Sequence, residues 1–253
     1  MKGRTEGIRD LKTELKKLHK VWTVAEELLF PTRCAVCDDV TDDKENRVCR
    51  SCTEKIVYIK PPFCMKCGKQ LWEEDDEYCT DCSRKKHFYV QGTALYEYGS
   101  MADSLFRFKY ASRAEYACFY GRELWEKRRR WLLAIKPDAL VPVPAHPSRK
   151  RKRGYNQASL IAKELSELSG IPVNEELIAR TKRTKAQKEL SERQRQNNLK
   201  KAFKILQNDV KLNTIVIIDD IYTTGSTIDA VAELLLQAGV GKVYYMVMAI
   251  GRG

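Results

Sequence analysis

No run of this sequence is apolar over the roughly 20 residues that a membrane-spanning helix needs. The stretch Met1 to Lys20 carries charges throughout, so it also lacks the apolar h-region of a secretory leader. The expectation is a cytoplasmic protein, without the oxidising setting in which nine cysteines would read as a disulfide framework. Negative charge is in short supply too, with 34 Asp and Glu against 46 Lys and Arg and a formal net charge of +12. The excess is local, with Arg149 to Arg153 reading RKRKR and the span from Arg180 to Lys204 dense in Lys and Arg. Such density favours polyanions, either nucleic-acid phosphates or a small pyrophosphate-bearing ligand. A hydrophobic content of 43% in 253 residues permits a main domain with a smaller module.

Eight of the nine cysteines fall in four CxxC pairs, Cys34/Cys37, Cys49/Cys52, Cys64/Cys67 and Cys79/Cys82, recurring every 15 residues. One CxxC knuckle presents two thiolates to a metal, and two knuckles complete a tetrahedral S4 site, so eight ligands imply two Zn2+ ions. Sequential pairing closes the shorter loops and is preferred; a cross-braced pairing, first with third and second with fourth, stays open. Four thiolates also suit iron-sulfur clusters, but the crowded ferredoxin spacing is missing. An S4 site leaves no position for water, which makes the role structural. Cys118 stands outside the series and reads as a small hydrophobe on a helix.

The expected organisation is an N-terminal amphipathic helix over 1–30, a double CxxC module over 31–86 and an α/β domain over 87–253. Ile8 to Phe30 has helical apolar spacing and stops at Pro31. Beyond Cys82, Val90 to Tyr98 suggests a strand, and Ser100 a cap for a helix carrying Leu105 and Phe108. Tyr116 to Ile135 reads as a helix whose Lys127 to Arg130 run is solvated, closed by Pro137. Ala139 to Val143 is a short strand leading into a loop with His146, which lacks any neighbouring nucleophile. Asn156 is a candidate N-cap for a helix ending near Gly170, and Ala202 to Leu206 and Val243 to Ile250 read as strands. Alternation of strands and helices argues for a parallel sheet covered on both faces.

The most informative stretch is Thr214 to Gln237. An apolar β-branched run, Thr214 to Ile218, ends in Asp219 and Asp220, as a buried parallel strand does when charge sits at its C-terminal end. Ile221 to Thr227 forms a hydroxyl-rich loop around Gly225, and a helix pattern follows from Ile228. A phosphate could accept bonds from backbone amides and hydroxyls where that helix begins.

This string resembles the diphosphoribose-binding motif of the type I phosphoribosyltransferases. The resemblance implies that Asp219 and Asp220 engage the ribose hydroxyls of phosphoribosyl pyrophosphate and that Thr223, Thr224, Gly225, Ser226 and Thr227 cradle its 5'-phosphate. Four further passages sharpen it to the ComF family of competence-associated phosphoribosyltransferase-like proteins: the CxxC module, Phe106 to Tyr110, Val141 to Pro144 running on to Gln157, and Arg180 to Phe203. The family implies a type I phosphoribosyltransferase-like parallel sheet with a hood region. On that pattern Val143 and Pro144 begin the pyrophosphate loop, although the usual small-residue turn is missing. Lys109 and Arg153 supply ligand-binding charge, and Arg195 lies on a flexible loop that closes over departing pyrophosphate. Mg2+ would accompany the ligand. Thr223 stands where purine-using members commonly place an aspartate, and a threonine hydroxyl is too weak a base for that task. The resemblance also supplies single-stranded DNA as a partner in natural transformation, together with a DNA-uptake helicase or other competence proteins. Tyr110, Phe106 and Tyr155 are the candidate base-stacking residues. A contrasting reading is a non-catalytic DNA-binding adaptor that keeps the nucleotide site for regulation.

Overall fold

The protein is described by a computed structural model covering residues 29–181, 201–206 and 211–251. Residues 1–28 of the N-terminal helix expected over 1–30 and the loop carrying Arg195 lie outside the described residues. Packing divides the chain into two compact units between Thr53 and Glu54. The smaller unit contains the short helix α1 (Arg50–Thr53). The larger holds, in chain order, α2 (Thr80–Arg84), β1 (Gly92–Glu97), α3 (Tyr98–Tyr110), α4 (Tyr116–Ile135), β2 (Ala139–Pro142), α5 (Pro147–Arg153) and α6 (Gln157–Ser169). Then come β3 (Ile178–Arg180), β4 (Phe203–Ile205), β5 (Thr214–Tyr222), α7 (Ser226–Gln237) and β6 (Lys242–Ile250).

Four strands form an all-parallel sheet in the order β1-β6-β5-β2, while β3 and β4 pair antiparallel as a separate ribbon. The central strands are apolar without alternation because both faces are buried. Ile215, Ile217, Val243, Tyr245 and Val247 share one core with Ile228, Val231 and Leu235 of α7 and with Cys64, Cys67 and Cys79. Val216, Ile218, Leu140 and Met246 are the intervening residues and are equally buried. On the sheet, α6 packs against β2 and β5 and also against α4.

The second cysteine group is built into this larger unit. Ile59 N donates to Leu95 O and Gly92 N to Lys66 O, both at 2.9 Å, which staples its first knuckle alongside the edge strand β1. The division of packing at Thr53 thus falls inside the cysteine module expected over 31–86.

Several local expectations are corrected. Helix α3 begins at Tyr98 with Glu97 at the N-cap, and Ser100 sits inside its first turn, donating to Glu97 O at 2.8 Å. The basic run of α4 is not wholly solvated: Arg128 Nε donates to Thr93 Oγ1 at 3.0 Å and Nη2 to Ala94 O at 2.8 Å, tying α4 to β1. Strand β5 continues through the acidic pair to Tyr222 instead of stopping before it. Its partner β2 ends at Pro142, opposite Ile218, while β6 goes on pairing to Ile250. The acidic pair thus lies on the one flank of the sheet where a strand has run out.

Candidate phosphoribosyl site and cysteine clusters

Where β2 ends, a cleft of about 380 Å³ opens, lined by Asp219, Asp220, Thr223, Thr227, Lys109, Val143, Pro144, Arg153, Arg149 and Arg180 among others. A second cavity of about 240 Å³ is lined by residues 221–228, so Thr224, Gly225 and Ser226 adjoin the first cleft through Thr223 and Thr227. Of the residues expected from sequence to hold the phosphoribosyl ligand, the structure brings all but Arg195 to these two neighbouring hollows, and Arg195 is outside the described residues.

Each group is placed by identifiable chemistry. Gly225 has φ +72° and caps the N-terminus of α7, and a Cβ there would lie 2.3 Å from the Tyr222 hydroxyl, so only glycine makes this turn. Helix α7 therefore starts at Ser226, two residues before the apolar pattern begins, and no side chain caps it. That leaves first-turn amides available to an anion. Thr224 Oγ1 and Ser226 Oγ share a hydrogen bond of 2.9 Å across the turn.

Lys109 closes α3 and forms an ion pair of 2.8 Å with Asp220. The end of that helix is anchored by two donors from the Gly154-Tyr155-Asn156-Gln157 segment. Tyr155 Oη and Gln157 Nε2 both bond Phe108 O, at 2.6 and 3.2 Å. Asn156 occupies the N-cap position of α6, but its side chain donates to Val143 O at 3.0 Å and Ser159 Oγ at 2.9 Å, which fixes the Val143 loop against the helix. Asp219 stands next to Asp220, half-buried. Burial, and then the charge of Asp220, pushes its carboxyl up to about 7, with Lys109 and Arg180 pulling the other way.

The RKRKR run is helical, and here sequence reasoning missed a signal. His146 accepts from Ser148 N as the N-cap of α5, and Pro147 stands at the first helical position. Read as a helix, Arg149 and Arg153 fall four apart on one face, and both line the cleft. Arg180 arrives from β3 with its guanidinium 5.2 Å over the Phe203 ring of β4, so the antiparallel ribbon presents a cation to the cleft. Phe106 and Tyr110 are exposed at 60% and 65% and pack on each other at 4.9 Å, with Arg153 over Tyr110 at 5.1 Å. Tyr155 is half-buried and held by its hydroxyl.

The cysteines resolve into two clusters, Cys34, Cys37, Cys49, Cys52 and Cys64, Cys67, Cys79, Cys82, each with its sulfurs within 4.8 Å of one another. Sequential pairing is thereby selected over the cross-brace. Sulfurs about 2.3 Å from a common ion stand about 3.8 Å apart in a tetrahedron, and Cys37–Cys49 and Cys67–Cys79 measure 3.8 and 3.7 Å. Amides of Val36 and Cys49 donate to Cys34 Sγ at 3.4 and 3.3 Å, the backbone bonds that a metal thiolate accepts. Both donor sets fit Zn2+. Cys118 lies on α4, half-buried and outside both clusters.

Comparison with known proteins agrees with this geometry. Residues 25–83 match the double zinc ribbon domain, and residues 120–251, just over half the chain, match the phosphoribosyl transferase domain. Competence protein F of Haemophilus influenzae is 29% identical over 85% of this chain and 95% of its own length. Competence protein ComFC of Bacillus subtilis is 30% identical over 77% of this chain and 80% of its own. The chain belongs to the ComF family. DNA utilization protein YhgH of Escherichia coli K12 is a further relative, 31% identical over 78% of this chain and 87% of its own. As in the ComF pattern, a zinc ribbon pair precedes a phosphoribosyltransferase-type sheet. Among the described residues, no helix is long and apolar enough to cross a membrane.

Proposed function

We propose that this ComF-family protein binds phosphoribosyl pyrophosphate with Mg2+ in the cleft at the end of β2 and acts in the handling of DNA during natural transformation. One observation carries the ligand assignment: two carboxylates, a hydroxyl-rich helix N-terminus and four cationic side chains converge on two adjoining hollows at the C-terminal end of parallel strands. On this reading the Gly225 turn and the α7 amides hold the 5'-phosphate, and Asp219 and Asp220 take the ribose hydroxyls. Lys109, Arg149, Arg153 and Arg180 balance the pyrophosphate. Mg2+, when bound, offsets charge between pyrophosphate and ribose oxygens. Asp220 must exchange its bond to Lys109 for the ligand, freeing that ammonium for a phosphate oxygen. The role in DNA handling draws on the names of the relatives, and the exposed Phe106–Tyr110 pair beside the basic α5 gives single-stranded DNA a stacking and charge surface.

A second reading, binding without turnover as a DNA-binding adaptor, is favoured by Thr223, which is exposed in the cleft and brings no base to an incoming nucleophile.

Calorimetry tests the assignment. Asp219→Ala with Asp220→Ala should abolish Mg2+-dependent binding of phosphoribosyl pyrophosphate, and unchanged affinity would remove the acidic pair from the site. The same titration has a pH signature. Because Asp219 holds its proton up to about 7, a ligand that takes the carboxylate must displace it. Affinity should fall roughly tenfold per unit below that pH and level off above it.

A further inference from the structure

His87 lies outside the cleft, yet its side chain is 1% exposed and both ring nitrogens are engaged. Nε2 stands 3.7 Å from Cys82 Sγ, a ligand of the second cluster, and Nδ1 is 2.9 Å from Asp229 Oδ2. Asp229 belongs to the first turn of α7, where its amide donates to Gly225 O at 2.8 Å. Lys85 and the Phe88 amide hold the same carboxylate at 3.2 and 3.3 Å. A single imidazole therefore spans from a metal ligand to the helix turn that forms the phosphate loop.

A second path runs parallel to it. Tyr245 Oη donates to Cys67 O at 2.7 Å, and its ring stacks on Tyr222 at 5.0 Å. Tyr222 is the side chain that bounds the Gly225 turn; its hydroxyl bonds Tyr89 Oη at 2.7 Å, and Tyr89 stacks on His87 at 4.8 Å. These rings are buried and close-packed, so they transmit displacement instead of absorbing it.

We propose that the second cysteine cluster, acting through His87 and Asp229, positions the phosphate loop, so that metal in this cluster and a 5'-phosphate on the loop strengthen each other's binding. The inference rests on the phosphoribosyl assignment above. By linkage the effect is reciprocal: a ligand favoured by the metal-bound form must raise the cluster's affinity for metal by the same factor. His87 is a positioning residue, holding metal ligand and helix in register as outer-shell partners of zinc sites do. The first cluster lacks this connection, since the position thirty residues before His87 is Val57.

The test titrates the full chain to equilibrium with a chromogenic chelator, reading zinc affinity with and without saturating ribose 5-phosphate. A Cys34→Ser/Cys37→Ser variant identifies which step of the titration belongs to which cluster. Ribose 5-phosphate should raise the zinc affinity of the second cluster at least about five-fold and leave the first unchanged. His87→Ala should still carry two zinc ions and lose the effect, and Asp229→Asn, which keeps an oxygen beside the imidazole, should retain part of it. If His87→Ala does not fold, Asp229→Leu takes its place. Calorimetric binding of ribose 5-phosphate with unaltered zinc affinity, or the full effect in the His87 variant, overturns this inference alone. No binding of ribose 5-phosphate at all overturns the phosphate site and the inference with it.

Discussion

The two cysteine clusters are built on one pattern and set in different surroundings. Their hydrogen bonds repeat thirty residues apart: Cys34 N to Asp39 O at 2.8 Å corresponds to Cys64 N to Lys69 O at 2.7 Å, and Ala35 N to Arg47 O at 2.7 Å to Met65 N to Glu77 O at 2.9 Å. The antiparallel bridges Arg33–Val40 and Phe63–Gln70 repeat with the same offset. Yet the first cluster belongs to a compact unit that ends at Thr53, whereas the second shares its core with β5, β6 and α7. One spacing of ligands therefore serves two mechanical ends. Metal chemistry follows from the CxxC repeat; what the metal holds together depends on the residues between the repeats.

Removing each cluster is the most forceful way to break this comparison. Cys64→Ser/Cys67→Ser should unfold or severely destabilise the larger unit, by about 4 kcal/mol or more, because it withdraws the metal and leaves buried polar groups against Tyr89 and Tyr245. Cys34→Ser/Cys37→Ser should abolish one zinc ion and leave the main thermal transition of the sheet within about 2 °C. Metal analysis with scanning calorimetry reads both. Equal losses of stability would mean that the two clusters carry the same load.

A gentler test lies at one backbone position. Asp38 and Gly68 are repeat counterparts, and both adopt φ near +70°. Aspartate tolerates the left-handed region better than most residues, and Asp38 keeps a half-buried side chain. At Gly68 a Cβ would lie 2.6 Å from Gly92 O and 2.9 Å from Thr93 Cα, backbone that cannot give way. Gly68→Asp should thus cost about 3 kcal/mol, while Asp38→Gly should change stability by less than about 1 kcal/mol. Urea unfolding of the two variants gives the contrast directly.

These counterparts also show what was legible in the sequence. The cysteine spacing, the β-branched run before Asp219 and the Gly225 turn are local patterns whose chemistry is set by neighbours a few residues away; the cluster pairing and the turn appear where expected, while β5 runs on past the acidic pair to Tyr222. Burial of the second cluster was not legible, because it depends on pairing of Ile59 and Lys66 with a strand some thirty residues further on. The site divides the same way. Asp219, Asp220 and the hydroxyl loop are contiguous, whereas Arg180 reaches the cleft by forming a ribbon with Phe203, and His87 meets Asp229 across 142 positions. Arg149 is legible only with Pro147 as a helix start, which sets it four residues from Arg153 on one face. The solvated reading of Lys127 to Arg130 failed at Arg128 because one side of that helix turns to β1.

The smallest difference concerns charge beside the metal. Four thiolates around a divalent cation carry a net charge of about −2, which is costly to bury without a counter-charge. Lys69 is 6% exposed beside the second cluster and donates to Asp81 at 2.9 Å, whereas its counterpart Asp39 is exposed. Lys69→Met keeps the aliphatic stem and removes the ammonium, leaving Asp81, which is largely in solvent, free to hydrate. The ion pair itself is therefore worth little, and the loss should come from the cluster's own uncompensated charge, about 1 kcal/mol in urea unfolding. Asp39→Lys should move stability by no more than about 0.5 kcal/mol, since water already screens that side of the first cluster. Recovery of the loss in Lys69→Arg, which keeps the charge, would identify the thiolate charge as its source, and equal losses in Lys69→Met and Lys69→Arg would assign it to packing of the lysine stem.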